Sequence, residues 1–227
     1  MAFGQRLINT GGAGSSGPTG ATLVDSFTLP TNYNRGIGAD GTDIAFVNDN
    51  NNFVGFSDIN NWKTFYQTQS IIAGASNYRA FAFQPGTNYF WIAPIYENKA
   101  IIYRWTRGQE FSNAQINFAS RVNDISWSDE GLLLTNLGNT VTVFNSSNAI
   151  INTFNVSQHS GNMSIAWDGE NIWCGGISDN FIYKYDKLGN YLGVSIDMGS
   201  QFNYLAYDGI YFYTMDSLVA KKYTALF

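Results

Sequence analysis

Arginine and asparagine recur along this 227-residue chain at a spacing that could bring them together. Arg35, Arg79, Asn123, Met163 and Asn203 stand 44, 44, 40 and 40 residues apart, and Arg121 lies just ahead of Asn123. Guanidinium groups bind carboxylate, sulfate or phosphate oxygens through paired N–H donors. A ring of these residues would therefore hold an anion or an acidic sugar. The same arginines could instead pair with Asp124 or with loop carbonyls and tie neighbouring elements together. Tyr33, Tyr78 and Tyr96 fall near these positions, and with Trp91 and Trp105 they offer faces on which a sugar could stack.

Carboxylates are the other candidates. Asp40, Asp168 and Asp208 each precede a glycine, the placement of a turn-forming Asp rather than of a catalytic triad. Asp49, Glu97, Asp124, Asp179 and Asp216 would share the arginine side. A glycosidase needs two carboxyl groups about 5 to 9 Å apart with one pKa raised. The chain has four glutamates, and no spacing selects such a pair. His159, the only histidine, sits in a QHSGN loop where exposure to solvent is expected, and one histidine cannot build a histidine-rich metal site. Cys174, the only cysteine, excludes a disulfide framework and reads as a small buried apolar residue in the strand NIWCGGI. No phosphate-cradling GxxxxGK motif is present. No catalytic residue, metal or cofactor is expected.

The elements that must position these residues are repeated. GIGADG (36–41), AFAFQPG (80–86), DISWSDEG (124–131), SIAWDGE (164–170) and YLAYDG (204–209) share a large–small–turn pattern, with Ala39, Phe83, Trp127, Trp167 and Tyr207 in register. The Asp-Gly pairs predict type I′ hairpin turns. Each repeat reads as four short strands, as in SIAWD, NIWCGGI, FIYKYD and YLGVSID, and no stretch has helical periodicity. Four strands every 40 to 44 residues is the signature of a β-propeller. The residue two before the reference is large (Ile37, Phe81, Ile125, Ile165, Leu205) and the next is small (Gly38, Ala82, Ser126, Ala166, Ala206). That alternation predicts a repeated large-against-small contact between converging blades.

The last repeat has only three strands, whereas TLVDSFTLP precedes the first. The expected fold is thus all-β: a five-bladed propeller of four-stranded blades over residues 22–227, with repeats starting near 35, 79, 123, 163 and 203. The ring is closed by the N-terminal strand 22–30 joining the C-terminal blade. Composition agrees: 16% aromatic residues to pack between blades, 13% charged residues, and 26 asparagines and 23 glycines to populate turns. A net charge of −5 with no basic run argues against nucleic acid as partner, and no apolar run approaches a membrane span.

This pattern resembles the five-bladed propeller group, which includes sugar-binding lectins of the tachylectin type and glycosidases of the arabinanase and invertase type. The resemblance implies glycan chemistry at the channel mouth. The lectins' Trp-Gly-Gly signature has its nearest counterpart in Trp173-Cys174-Gly175-Gly176, in one blade. No motif aligns with the glycosidases' three carboxylates. Residues 1–21 form a separate Gly/Ser-rich arm whose Phe3, Leu7 and Ile8 could dock on another protein. That arm resembles the N-terminal lead-ins of bacteriophage virion proteins. The resulting expectation is a non-catalytic virion or extracellular-surface module without a classical signal peptide. It would be anchored to other virion or scaffold proteins through residues 1–21, and would contact surface glycans or an anionic ligand. The alternative is a lectin or glycoside hydrolase using the channel mouth.

Overall fold

The computed structural model describes residues 19–30, 35–48, 53–71, 78–94, 100–109, 112–136, 138–176, 179–216 and 218–224. They form five antiparallel four-stranded sheets arranged in a ring, the expected propeller. Blade one comprises Arg35–Ala39, Asp43–Asn48, Phe53–Asp58 and Phe65–Ser70. Blade two comprises Tyr78–Phe83, Tyr89–Pro94, Ala100–Thr106 and Ser112–Phe118, and blade three Val122–Trp127, Leu132–Asn136, Thr140–Phe144 and Ile150–Asn155. Blade four runs Ser164–Trp167, Ile172–Gly175, Phe181–Tyr185 and Tyr191–Asp197. Blade five takes Tyr204–Tyr207, Phe212–Asp216 and Val219–Thr224 from the C-terminal region, and Thr22–Thr28 pairs antiparallel with the last of these. Ring closure by the N-terminal strand is as the repeat arithmetic required. The short strand Thr19–Gly20 adds in parallel to the outer edge of blade four, opposite Ile196 and Asp197.

Burial follows radius. Inner and second strands are almost wholly buried, while the outer strands Thr22–Thr28 and Ile150–Asn155 alternate or expose their side chains. At four of the five junctions the large residue of one inner strand packs on the small residue of the preceding blade. Ala82 shares a core cluster with Ile125, Ala166 with Leu205, and Ala206 with Ile37. Where the large partner is Phe81, the small residue is Gly38, and the Phe81 ring occupies the space a Cβ would take. Aromatic pairs then bridge all five blade junctions: Phe56–Phe81, Trp91–Trp127, Phe154–Tyr185, Trp173–Phe212 and Trp62–Tyr213.

The Asp-Gly turns are not type I′. Asn148 is the only described non-glycine residue with positive φ, so Asp40, Asp168 and Asp208 lack the conformation that turn needs. Each Asp instead accepts two backbone N–H groups of its own loop on Oδ1: Thr42 and Asp43, Glu170 and Asn171, Ile210 and Tyr211. Glycine takes the left-handed position after it, with φ of 98° at Gly169. The second oxygen reaches the next strand, where Asp168 accepts the Trp173 indole N–H at 2.7 Å and Asp208 the Tyr213 hydroxyl at 2.8 Å. Gln84 does the same for Trp91 at 3.1 Å. These turn residues are structural acceptors, and they fix the aromatic side chains that join the blades.

Candidate functional site: the arginine mouth of the channel

At the end of the channel where the chain enters each inner strand, Arg35, Arg79, Arg121, Asn123 and Asn203 line one pocket. Asn162, Met163 and Tyr204 complete it, and its volume is about 70 Å³. Local strand irregularities aim the side chains. Pairing in blade one skips Gly36, in blade two Arg79, and in blade three Asn123, each one residue bulged out of the ladder. A bulge turns its residue away from the regular alternation, and here it turns Arg79 and Asn123 towards the mouth. Gly36 has φ of 57°, and a Cβ there would overlap the Arg79 carbonyl oxygen, so only glycine lets the two inner strands approach. Blades four and five enter without a bulge.

Polar contacts pass around the mouth from blade to blade. Asn123 Nδ2 donates to Asn162 Oδ1 at 3.3 Å, Ser164 Oγ donates to the Asn203 carbonyl at 2.6 Å, and Asn203 Nδ2 donates to Asp216 at 2.9 Å. Tyr204 is hydrogen-bonded to Arg35, and burial pushes its hydroxyl up to about 12 against the pull of Arg79 and Arg35. Arg121 makes no hydrogen bond or ion pair among the described residues, although its Nε is buried.

The arginines do not pair with Asp124. That carboxylate is fully buried and spends its oxygens on backbone N–H groups: Ile125 at 3.0 Å, Ile165 of blade four at 3.2 Å, and Leu205 of blade five. It pins three inner strands together. Burial outweighs these donors and raises its pKa well above the usual carboxylate range.

Other expected residues lie elsewhere. Tyr78 is fully buried with its ring edge-on to Tyr103, and Trp91 and Trp105 are core, so none of the three faces a ligand. Each sits on a strand whose side chains fill the space between blades. His159 is also buried, not solvated: Nε2 lies 3.3 Å from the Asn162 carbonyl and Nδ1 3.5 Å from Asp179, because its loop folds inward beneath the mouth. Cys174 is buried as expected, and burial raises its thiol pKa. Tyr33 and Tyr96, and Phe3, Leu7 and Ile8 of the arm, lie outside the described residues. Tyr204 and Asn162 join the site without having been expected there. Their signal is that both flank the same repeat position as Arg79 and Asn123.

The opposite mouth has a different character. All five reference residues, Ala39, Phe83, Trp127, Trp167 and Tyr207, line a pocket of about 210 Å³ with Asp40, Asp168 and Asp208 at its rim. Arginines stand at one end of the channel, and aromatic rings with three aspartates, two of them ion-paired, at the other.

No protein-family model matches the chain, and no curated protein matches its sequence. Solved structures share its fold. The Myxococcus xanthus glutaminyl cyclase superposes with a TM-score of 0.73 at 10% identity, covering 91% of this chain and 97% of that one. A chain of the nidogen/laminin complex gives 0.57 at 12% identity, covering 75% of this chain and 66% of that one. A chain of the Kuenenia stuttgartiensis hydrazine synthase gives 0.52 at 13% identity, covering 82% of this chain and 56% of that one. At these identities the likeness is one of fold, and a cyclase, a synthase and the nidogen/laminin complex share it.

Proposed function

We propose that this propeller is a binding module, not a catalyst, and that its arginine mouth holds one anionic group of a surface ligand such as an acidic glycan. The observation that carries this reading is the convergence of Arg35, Arg79 and Arg121 from consecutive blades, with three asparagine amides, on one small pocket. A volume near 70 Å³ admits a single carboxylate, sulfate or phosphate group and not a sugar ring. Among the described residues the lining has donors in excess and no Asp, Glu, His or Cys to act as acid, base or nucleophile. Its one titrating hydroxyl, Tyr204, stays protonated at neutral pH. The wider role we propose is that of a virion structural protein, held to its particle by residues 1–21. It rests on the Gly/Ser-rich arm and the charge-poor, Asn-rich composition.

Calorimetric titration with sulfate, phosphate and glucuronate tests the anion site. Binding should weaken with added salt, and Arg121→Gln should weaken it by roughly tenfold, the worth of a charge-assisted hydrogen bond. Absence of binding by all three anions at low salt overturns the reading. Co-sedimentation of full-length and 22–227 chains with candidate particles tests the arm, and equal recovery of both would remove its anchoring role.

A further inference from the structure

We propose that the opposite, aromatic mouth is a second and chemically distinct site, which takes one neutral hexose ring. The cavity of about 210 Å³ exceeds the ~150 Å³ that encloses a benzene ring and is smaller than a drug-sized pocket, which suits a single pyranose. Its walls are already rigid. Trp127 stacks on Trp91 at 5.7 Å, Tyr207 packs on Phe212 at 4.7 Å, and Phe83 lies edge-on to Phe81 at 4.9 Å. Each ring therefore has one side fixed by its own or a neighbouring blade, while the rest lines the cavity, so binding would cost little side-chain ordering.

The lining also carries the hydrogen-bonding groups that hydroxyls need. Among the described residues, the indole N–H groups of Trp127 and Trp167 and the Tyr207 hydroxyl are not engaged by any other group. At the rim, Oδ2 of Asp40 and of Asp208 each keeps a lone pair for a hydroxyl, whereas both oxygens of Asp168 are taken by its loop N–H groups, Trp173 and Lys184. A sugar hydroxyl both donates and accepts, and C–H faces of a pyranose pack on aromatic rings, so a hexose matches both the rings and the hydrogen-bonding groups of this lining.

Charged ligands fit less well. Asp208 repels an anion, whereas Asp40 and Asp168 are ion-paired with Arg107 at 3.8 Å and Lys184 at 3.4 Å. An organic cation would meet the positive charges of Arg107 and Lys187, which lie over Phe83 at 5.1 Å and Trp167 at 5.2 Å. The proposal is independent of the anion site, which occupies the other end of the channel and shares no residue with this one.

The test is a titration of the full chain with the methyl glycosides of glucose, galactose, mannose and N-acetylglucosamine, read by tryptophan fluorescence and saturation-transfer NMR. Tetramethylammonium and glucuronate serve as charged comparisons. At least one neutral glycoside should saturate the protein in the millimolar range expected of a single-sugar site. Trp167→Ala should lower that affinity by roughly tenfold and Tyr207→Phe by roughly threefold. Arg121→Gln should leave it unchanged while weakening anion binding, so failure at one mouth is separable from failure at the other. The proposal is overturned if no neutral glycoside binds up to roughly 50 mM, well above millimolar Kd values. It is also overturned if only tetramethylammonium or glucuronate perturbs these tryptophans. A folded Tyr207→Phe chain with undiminished affinity, alongside Trp167→Ala behaving likewise or failing to fold, overturns it as well.

Discussion

Substituting Gly38 by alanine adds one methyl group, and its cost can be worked from the contact it would make. A Cβ at Gly38 falls 2.8 Å from Phe81 Cε1 and closer still to Cδ1, well inside van der Waals distance. Gly38 does not have a left-handed φ, so the penalty is steric and not one of backbone conformation. The ring has little freedom to withdraw. It is 1% exposed, stacks on Phe90 at 5.2 Å, and meets Phe83 edge-on at 4.9 Å. Overpacking of this kind costs about 1–3 kcal/mol. For a domain of this size that corresponds to a fall in Tm of about 3–10 °C. Scanning calorimetry on Gly38→Ala, Phe81→Leu and the double variant measures it. Leucine is the residue that faces Ala166 at the equivalent junction, so the double variant should be at least ~1 kcal/mol more stable than the two single losses combined predict. Strict additivity would show that the two residues do not compete for the same space, and the size-compensation argument would fail.

Asp124 should make stability depend on pH in an unusual direction. Its folded pKa is raised, so its favourable contribution is complete below the unfolded carboxylate pKa and is lost as pH rises towards the folded value. The difference in Tm between wild type and Asp124→Asn should therefore move against wild type from about pH 4 upward, and a difference that grows in favour of wild type would refute this. Asp208→Ala strips the acceptor from two loop N–H groups and from the Tyr213 hydroxyl. It should cost about 2–4 kcal/mol in denaturant melts, far more than Asp186→Ala of the same loop type, whose hydrogen bonds are all exposed to solvent, and equal losses would contradict it. Cys174 is fully buried with its thiol pKa raised. A thiol reagent should label it only at the rate of unfolding, and rapid labelling of the native chain would show that blade four opens locally.

What can be read from sequence is whatever the fivefold repetition displays more than once. Blade number, strand order and ring closure follow from a reference residue seen five times, and the Gly38–Phe81 exception stands out against four other pairs. Gathering Arg35, Arg79, Arg121, Asn123 and Asn203 at one mouth needs only their common register. The bulges at Gly36, Arg79 and Asn123 are hidden, because a ladder that skips one residue leaves the alternation on either side intact. Those bulges send Arg79 to the pocket while its neighbour Tyr78 goes to the core. His159 reads as solvated because its loop is polar, yet loop composition does not report which side chain folds inward. The aromatic mouth is visible as Phe83, Trp127, Trp167 and Tyr207, but in a chain this rich in aromatics, core and cavity rings look alike.

Closure of the ring by residues 22–28 sets an order of events during synthesis. Thr22 pairs with Thr224, a partner 202 positions later. At a ribosomal rate of about 5–20 residues per second, the first strand made waits about 10–40 s for the last. Throughout that interval Leu23, Val24 and Phe27 travel on an open edge beside four unclosed blades. A nascent chain is thus most exposed to pairing with its neighbours on the same message until Val219–Thr224 covers one edge of Thr22–Thr28, which stays the outer strand of blade five.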